Sequence, residues 1–187
     1  MLKIETIWQP HTQQRIFRQL LQGMSLPGTI MDLQGELETS SSLVGILATL
    51  LDRSVTWSDE DNLVEGRDRT LLQAALTETE TAQFTVKDAS KPPQPQFSPP
   101  LGELANPEAG ATLILVGKAL GIGNLHLQLS GAGIESTRQV FLAGFESQWF
   151  SCRQQWVAHF PLGVDLILLA GTCLMAIPRT TQIVIIN

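Results

Sequence analysis

The chain has 187 residues, 43% of them hydrophobic, which is enough for one domain with a real core and too apolar for a disordered segment. Twelve Lys and Arg against eighteen Asp and Glu leave a formal net charge of −6 with no basic block, which speaks against capture of a nucleic-acid backbone. Cys152 and Cys173 stand apart without CxxC spacing, so neither a disulfide scaffold nor a structural zinc site is indicated, and a reducing cytosol is the expected setting.

Met1 to Gln13 lacks an apolar core behind a basic start, so no signal peptide is expected and the protein is expected to be cytoplasmic. Ile16, Phe17, Leu20, Leu21 and Met24 recur at helical spacing and predict a helix over 12–24. It stops at Ser25-Leu26-Pro27-Gly28, whose Pro-Gly pair favours a type II turn. A short strand is expected near 29–33. The serines at 40–42 then offer an N-cap to a second helix, ending near Asp52, with Leu43, Ile46, Leu47, Leu50 and Leu51 on one face. A strand over 54–58, a helix over 68–76 capped by Asp68 and a strand over 81–87 complete an alternating first half.

Most of the ten prolines fall between Ala89 and Pro107, including Pro92-Pro93 and Pro99-Pro100, and predict an extended loop ending against the core at Phe97. The second half reads as strands over 111–117, 125–130, 137–142, 164–169, 174–177 and 182–186, interrupted by one helix over 146–158. Trp149, Phe150, Arg153, Trp156 and Val157 share one side of that helix. The apolar run Leu166 to Pro178 is too short to cross a bilayer and is expected to be a buried pair of strands. Continuous apolar strands need cover on both faces, so the fold class expected is α/β: a single domain over 1–187 with a mixed sheet and helices on both sides.

Motifs for cofactors fail on inspection. Gly117-Lys118 lacks the phosphate-loop glycine and hydroxyl, having Thr112 and Ala119 there, and Gly121-Ile122-Gly123 has His126 in place of the third glycine of a dinucleotide fingerprint. A hairpin turn is expected at these glycines instead. Gly131-Ala132-Gly133 suits either a turn with positive φ or an anion-binding nest. His11, His126 and His159 show no metal-ligand spacing, so no metal is expected. Ser58-Asp59-Glu60-Asp61 reads as a solvated loop. Ile177-Pro178-Arg179-Thr180-Thr181 presents a guanidinium and two hydroxyls after a strand break. Such a set can hold a phosphate or phosphonate oxygen, or the Arg can pair with a carboxylate such as Asp165. The expectation is that Arg179 lies exposed enough to meet an anion or a partner.

Several blocks resemble the PhnH family, a subunit of the bacterial carbon–phosphorus lyase system that degrades phosphonates. They are Phe17-Arg18-Gln19-Leu20-Leu21 with Met24 to Gly28, Pro107-Glu108-Ala109-Gly110 running into Ala111 to Leu115, Leu129 to Ile134, Phe160 to Leu168, and Leu174 to Thr181. The segment Asp59 to Pro107 matches no family block. The resemblance implies a fold like the large domain of pyridoxal-phosphate-dependent transferases without the cofactor. It further implies a cytoplasmic subunit that forms a homodimer in isolation and joins PhnG, PhnI and PhnJ. In that system an alkylphosphonate displaces adenine from ATP, giving a ribose 1-alkylphosphonate 5-triphosphate, and a radical iron–sulfur subunit later breaks the carbon–phosphorus bond.

Candidate anion or partner contacts are therefore Arg179, Thr180, Thr181, Gly131, Gly133, Arg18, Glu108 and Asp165, with no catalytic residue identifiable. Two alternatives stay open, an independent enzyme binding a phosphorylated ligand at Arg179 and a plain dimeric scaffold. Convergence of the Gly-Ala-Gly and Arg-Thr-Thr segments in space would favour the enzyme. No cofactor is expected, because none of Lys3, Lys87, Lys91 and Lys118 sits in a pyridoxal-phosphate motif. The purified protein should be colourless, and a yellow preparation bleached by borohydride with a modified lysine in its mass spectrum would overturn this.

Overall fold

The computed structural model describes residues 5–186; Met1 to Ile4, and with them Lys3, and Asn187 lie outside. In chain order the elements are α1 (Pro10–Ser25), β1 (Ile30–Asp32), α2 (Gln34–Leu37), α3 (Ser42–Leu50), β2 (Thr56–Ser58), α4 (Gly66–Leu71), β3 (Ala75–Leu76) and β4 (Phe84–Asp88). There follow β5 (Leu101–Glu103), β6 (Asn106–Gly110), β7 (Thr112–Val116), β8 (Ala119–Ser130), β9 (Arg138–Ala143), α5 (Ser147–Trp156), β10 (Asp165–Ala170), β11 (Cys173–Ile177) and β12 (Gln182–Ile186).

The main sheet has seven strands in the order β1-β11-β10-β7-β4-β2-β3. From β10 to β3 the neighbours are parallel, and β11 pairs antiparallel with both β10 and β1, so the sheet is mixed. Its central strands are apolar on both faces, as a sheet covered on both sides requires. Period-two alternation divides them. Val86, Ile114, Ile167, Leu169 and Leu174 face the helices, while Leu113, Leu115, Leu166, Leu168 and Met175 face the other way.

Helices α1 and α3 cover the first face with Ile16, Leu20, Ile46 and Leu47 fully or almost fully buried. Pro10 starts α1 at a position where its missing N–H costs nothing, and the chain leaves it through a turn in which Thr29 N–H donates to the Leu26 carbonyl at 3.1 Å. Pro27 and Gly28, with φ 79° at the glycine, hold the central positions of that turn, as expected. Ser41 caps α3, its hydroxyl accepting from Val44 N–H at 3.2 Å.

The second face departs from the expectation of helices on both sides. A three-stranded antiparallel sheet in the order β12-β8-β9 covers much of it, with α5 beside it. Between β7 and β8 lie only Gly117 and Lys118, too short for a crossover helix, so the chain folds back as strands. Gly121 and Gly123 are not a hairpin turn. They lie inside β8, where the register with β9 shifts between Leu120 and Leu125, and both take positive φ. The proline-rich segment also differs from expectation. After the irregular stretch carrying Phe97, it forms the β5–β6 hairpin. The helix expected over 68–76 ends at Leu71, because Ala75 and Leu76 pair with Thr56 and Trp57 of β2. Asp68 lies within that helix, and Glu65 occupies its N-cap.

Gly117 leaves no room for a side chain, since a Cβ there would overlap the ring of Phe145. Gly117→Ala should lower unfolding free energy by about 1–3 kcal/mol in urea titrations, and adding Phe145→Leu should recover part of the loss. A G117A protein as stable as the parent would show that the close approach does not constrain the core.

Candidate functional site

The segment from Pro178 to Thr181 links β11 to β12, with Thr181 N–H closing the turn on the Pro178 carbonyl at 2.9 Å. Arg179 is not free. Its Nε and Nη2 donate to Asp165 Oδ2 at 3.2 and 2.7 Å, its Nη1 donates to the Pro107 carbonyl at 2.6 Å, and its backbone N–H donates to Asp165 Oδ1 at 2.7 Å. The side chain is 15% exposed, which corrects the expectation of an exposed cation. Thr181 is buried as well, so of the two hydroxyls only Thr180 is presented to solvent.

A second arginine braces the same turn from beneath. Arg153 of α5 is 1% exposed and donates from Nη1 to the Thr181 carbonyl at 3.0 Å and from Nη2 to the Pro178 carbonyl at 2.6 Å. Burial pushes it down to about 10 and nearby Asp165 raises it, so it stays charged at neutral pH. Its neighbour Gln154 donates from Nε2 to the Ile183 carbonyl at 2.9 Å. The sequence places Arg153 on the aromatic side of its helix, but does not show its role as donor to a distant turn. The signal available was its place on the Trp149–Phe150 stripe.

Gly131 meets this turn, since a Cβ there would lie 2.8 Å from the Thr180 carbonyl oxygen. Gly131 and Gly133 have φ of 125° and 80°, and Gly133 packs against the Ser25 carbonyl at the end of α1. The structure thus brings together Arg179, Thr180, Thr181, Asp165 and Gly131, while Gly133 lies against the end of α1. Glu108 is close in chain to the Pro107 carbonyl that Arg179 grips, is exposed, and lies beside the Asn106 side-chain amide, which donates to it once the amide is oriented nitrogen-first. Arg18 stands apart on the exposed flank of α1, about two helical turns before Ser25, and makes no ion pair among the described residues.

The acidic run after β2 is not a solvated loop. Asp59 is 5% exposed and accepts from Leu63 N–H, Val64 N–H and Arg69 Nη2 at 2.9, 3.0 and 2.6 Å. Glu60 accepts from the almost buried Lys87 at 2.5 Å, and Asp61 caps Asp88 N–H at 2.8 Å. The hydrogen bond from Lys87 holds the Glu60 carboxyl below the usual carboxylate range. Elsewhere a cleft of about 570 Å³ opens on the helix side, walled by Trp8, Leu51, Leu71 and Leu72, and none of the sequence candidates lines it. Among the described residues no group of His, Cys, Asp and Glu is arranged to hold a metal ion, and no helix is long and apolar enough to cross a membrane.

Fold and site together define a small mixed α/β protein whose charged groups at the candidate site hold backbone in place. A family model described as bacterial phosphonate metabolism protein (PhnH) matches residues 5–184, so the chain belongs to the PhnH family and to phosphonate metabolism. The match includes Asp59 to Pro107, where the sequence alone offered no family block. The chain is also similar to HtxG of Stutzerimonas stutzeri, described as a C–P lyase subunit protein. They are 37% identical over 177 residues, covering 95% of this chain and 88% of HtxG.

Arg153→Met should cost about 2–3 kcal/mol, because the Thr181 and Pro178 carbonyls both lose their charged donor while the relief of an unpaired buried cation offsets part of the loss. Arg179→Ala should cost about 1–3 kcal/mol, and Asp165→Asn less, both read from urea unfolding. Melting curves unchanged in all three would show that the turn is not held by these groups. On the acid side, the Glu60–Lys87 pair stabilises the fold above the ordinary glutamate pKa and is lost as pH falls through the depressed value. Lys87→Met should therefore flatten the acid limb of a stability–pH curve slightly, Glu60 being half exposed.

Proposed function

We propose that this chain is a cytoplasmic, non-catalytic subunit of the carbon–phosphorus lyase core, assembling with PhnG, PhnI and PhnJ. That assembly makes ribose 1-alkylphosphonate 5-triphosphate from ATP and an alkylphosphonate. The single observation that carries this is the match to the PhnH family over 5–184, supported by the likeness to HtxG, itself described as a C–P lyase subunit protein. The geometry agrees with a subunit that shapes a surface. At the converged segments the Arg179 guanidinium is met by the Asp165 carboxylate and the Pro107 carbonyl, and Arg153 lies beneath backbone. The chain binds no cofactor of its own in this proposal, and it forms a homodimer in isolation by the symmetric pairing most soluble homo-oligomers use. A fold like the large domain of pyridoxal-phosphate-dependent transferases, stripped of the cofactor, belongs to the same proposal and is supported by the mixed sheet with helices against it.

One observation favours a second reading, an independent enzyme for a phosphorylated ligand: Gly131 and Thr180 do converge. Against it, a carboxylate already neutralises the guanidinium that would hold the phosphate. Co-expression with PhnG, PhnI and PhnJ, followed by purification through a tag on this chain, should yield a stoichiometric complex. A chain that purifies without them, and that binds inorganic phosphate in calorimetry with loss of binding in Arg179→Ala, would establish the enzyme reading instead. Light scattering of the isolated chain should report a dimer, and a monomer persisting at high concentration would contradict that part.

A further inference from the structure

The β5–β6 hairpin carries features that the fold does not use. Its two strands are joined through Leu104 and Ala105, and Leu104 at the tip is 77% exposed. Tight turns ordinarily place Gly, Asn, Asp or Pro there, because an apolar side chain at such a tip buries nothing. Phe160, 70% exposed, lies on the loop that runs into Gly163, whose N–H donates to the Leu101 carbonyl at the base of the hairpin at 2.9 Å.

The hairpin is also held rigidly. Ala111 N–H donates to the Pro100 carbonyl at 2.8 Å and Arg179 Nη1 grips the Pro107 carbonyl at 2.6 Å. Gly102, with φ 80°, sits where a Cβ would come within 2.7 Å of the Pro107 oxygen, so the two strands touch through bare backbone. A projection fixed in this way loses little conformational freedom on binding. Glu103 and Glu108 are exposed on it and make no ion pair with a cation among the described residues, while Asp165 neutralises the arginine beneath. A shallow cleft of about 390 Å³ runs along it, lined by Leu101, Gly102, Glu103, Asn106 and Ala109.

We propose that the β5–β6 hairpin is a preformed docking arm that seats Leu104 in an apolar pocket of a different protein subunit, one with basic residues at the pocket's rim. The choice of a different subunit follows from charge. A second copy brings the same unpaired glutamates and the same net charge of −6, which disfavours pairing arm against arm, whereas a basic rim is complementary. Leu104 supplies a central apolar anchor and Glu103 and Glu108 the polar surround, the division of labour usual in protein interfaces. This inference rests on the reading of the chain as a subunit of a larger complex.

The test uses the full chain, tagged and co-expressed with PhnG, PhnI and PhnJ, comparing the parent with Leu104→Asp, Leu104→Met and the double variant Glu103→Lys/Glu108→Lys. Leu104→Asp should reduce partner recovery by roughly tenfold or more, Leu104→Met should retain it, and the charge reversal should reduce it most at low salt. All should melt like the parent. If Leu104→Asp melts early, the charge reversal decides, since it leaves the apolar packing untouched. Full partner recovery by the variants while the parent assembles overturns the arm alone. Loss of self-association with partner recovery intact overturns the choice of a different subunit. A parent that recovers no partner overturns the complex reading, and the arm with it.

Discussion

A guanidinium without a carboxylate partner holds the second half of this protein together. Arg153 reaches from α5 into a site with 1% exposure and spends two donors on the carbonyls of Pro178 and Thr181. Those carbonyls belong to the turn that separates β11, in the main sheet, from β12, in the smaller one. The cation therefore fixes the angle at which the chain leaves one sheet and enters the other. Once the turn is fixed, Arg179 on its outer side is aimed at Asp165, the first residue of β10, and at Pro107 in the β5–β6 hairpin. Two arginines on opposite sides of a four-residue link thus tie together α5, both sheets and the hairpin.

The same economy governs the other end of the sheet. Arg69, Lys87 and Lys91 there are each matched to Asp59, Glu60, or Asp61 and Asp88. In a chain with twelve Lys and Arg, these pairs set several cations beside carboxylates rather than in a bare cluster that would hold an anion. The excess of acid appears instead as unpaired side chains such as Glu103 and Glu108 on projecting backbone. Such a charge distribution suits long-range attraction to a basic protein surface better than retention of a phosphate.

The elements legible in the sequence were those whose signal is local. Helix α1 announces itself by Ile16, Leu20 and the Pro27-Gly28 stop, α3 by its serine cap, and the β10–β11 pair by an uninterrupted apolar run, and their ends fell within about two residues. What was not legible depends on partners distant in sequence. Prolines at 92–100 argue correctly against regular structure there, yet they say nothing of β6, whose strand is formed by pairing with Leu101 and Glu103. The glycines at 121 and 123 look like a turn because a bulge and a turn ask the same freedom of the backbone. At the candidate site, Asp165 could be named as a partner of Arg179 because it stands at the start of one apolar strand and Arg179 just past the end of another, with few other charges nearby. Arg153 could be set on the aromatic side of its helix, but not the carbonyls it meets, which lie 25 and 28 residues away, and Asp59 could not be placed at all.

The contacts of α5 with β12 have a consequence for solubility. The run Gln182-Ile183-Val184-Ile185-Ile186 is uncharged, rich in β-branched residues, and forms an outer strand of its sheet, a composition that readily recruits further strands into fibrils. Its carbonyl at Ile183 is occupied by Gln154, and that of Thr181, just before it, by Arg153. The helix therefore acts as a gatekeeper, occupying hydrogen-bonding positions that a foreign strand would need to start growth along this edge. Through it, the fold keeps one of its most aggregation-prone segments out of reach while leaving the chain free to assemble elsewhere on its surface.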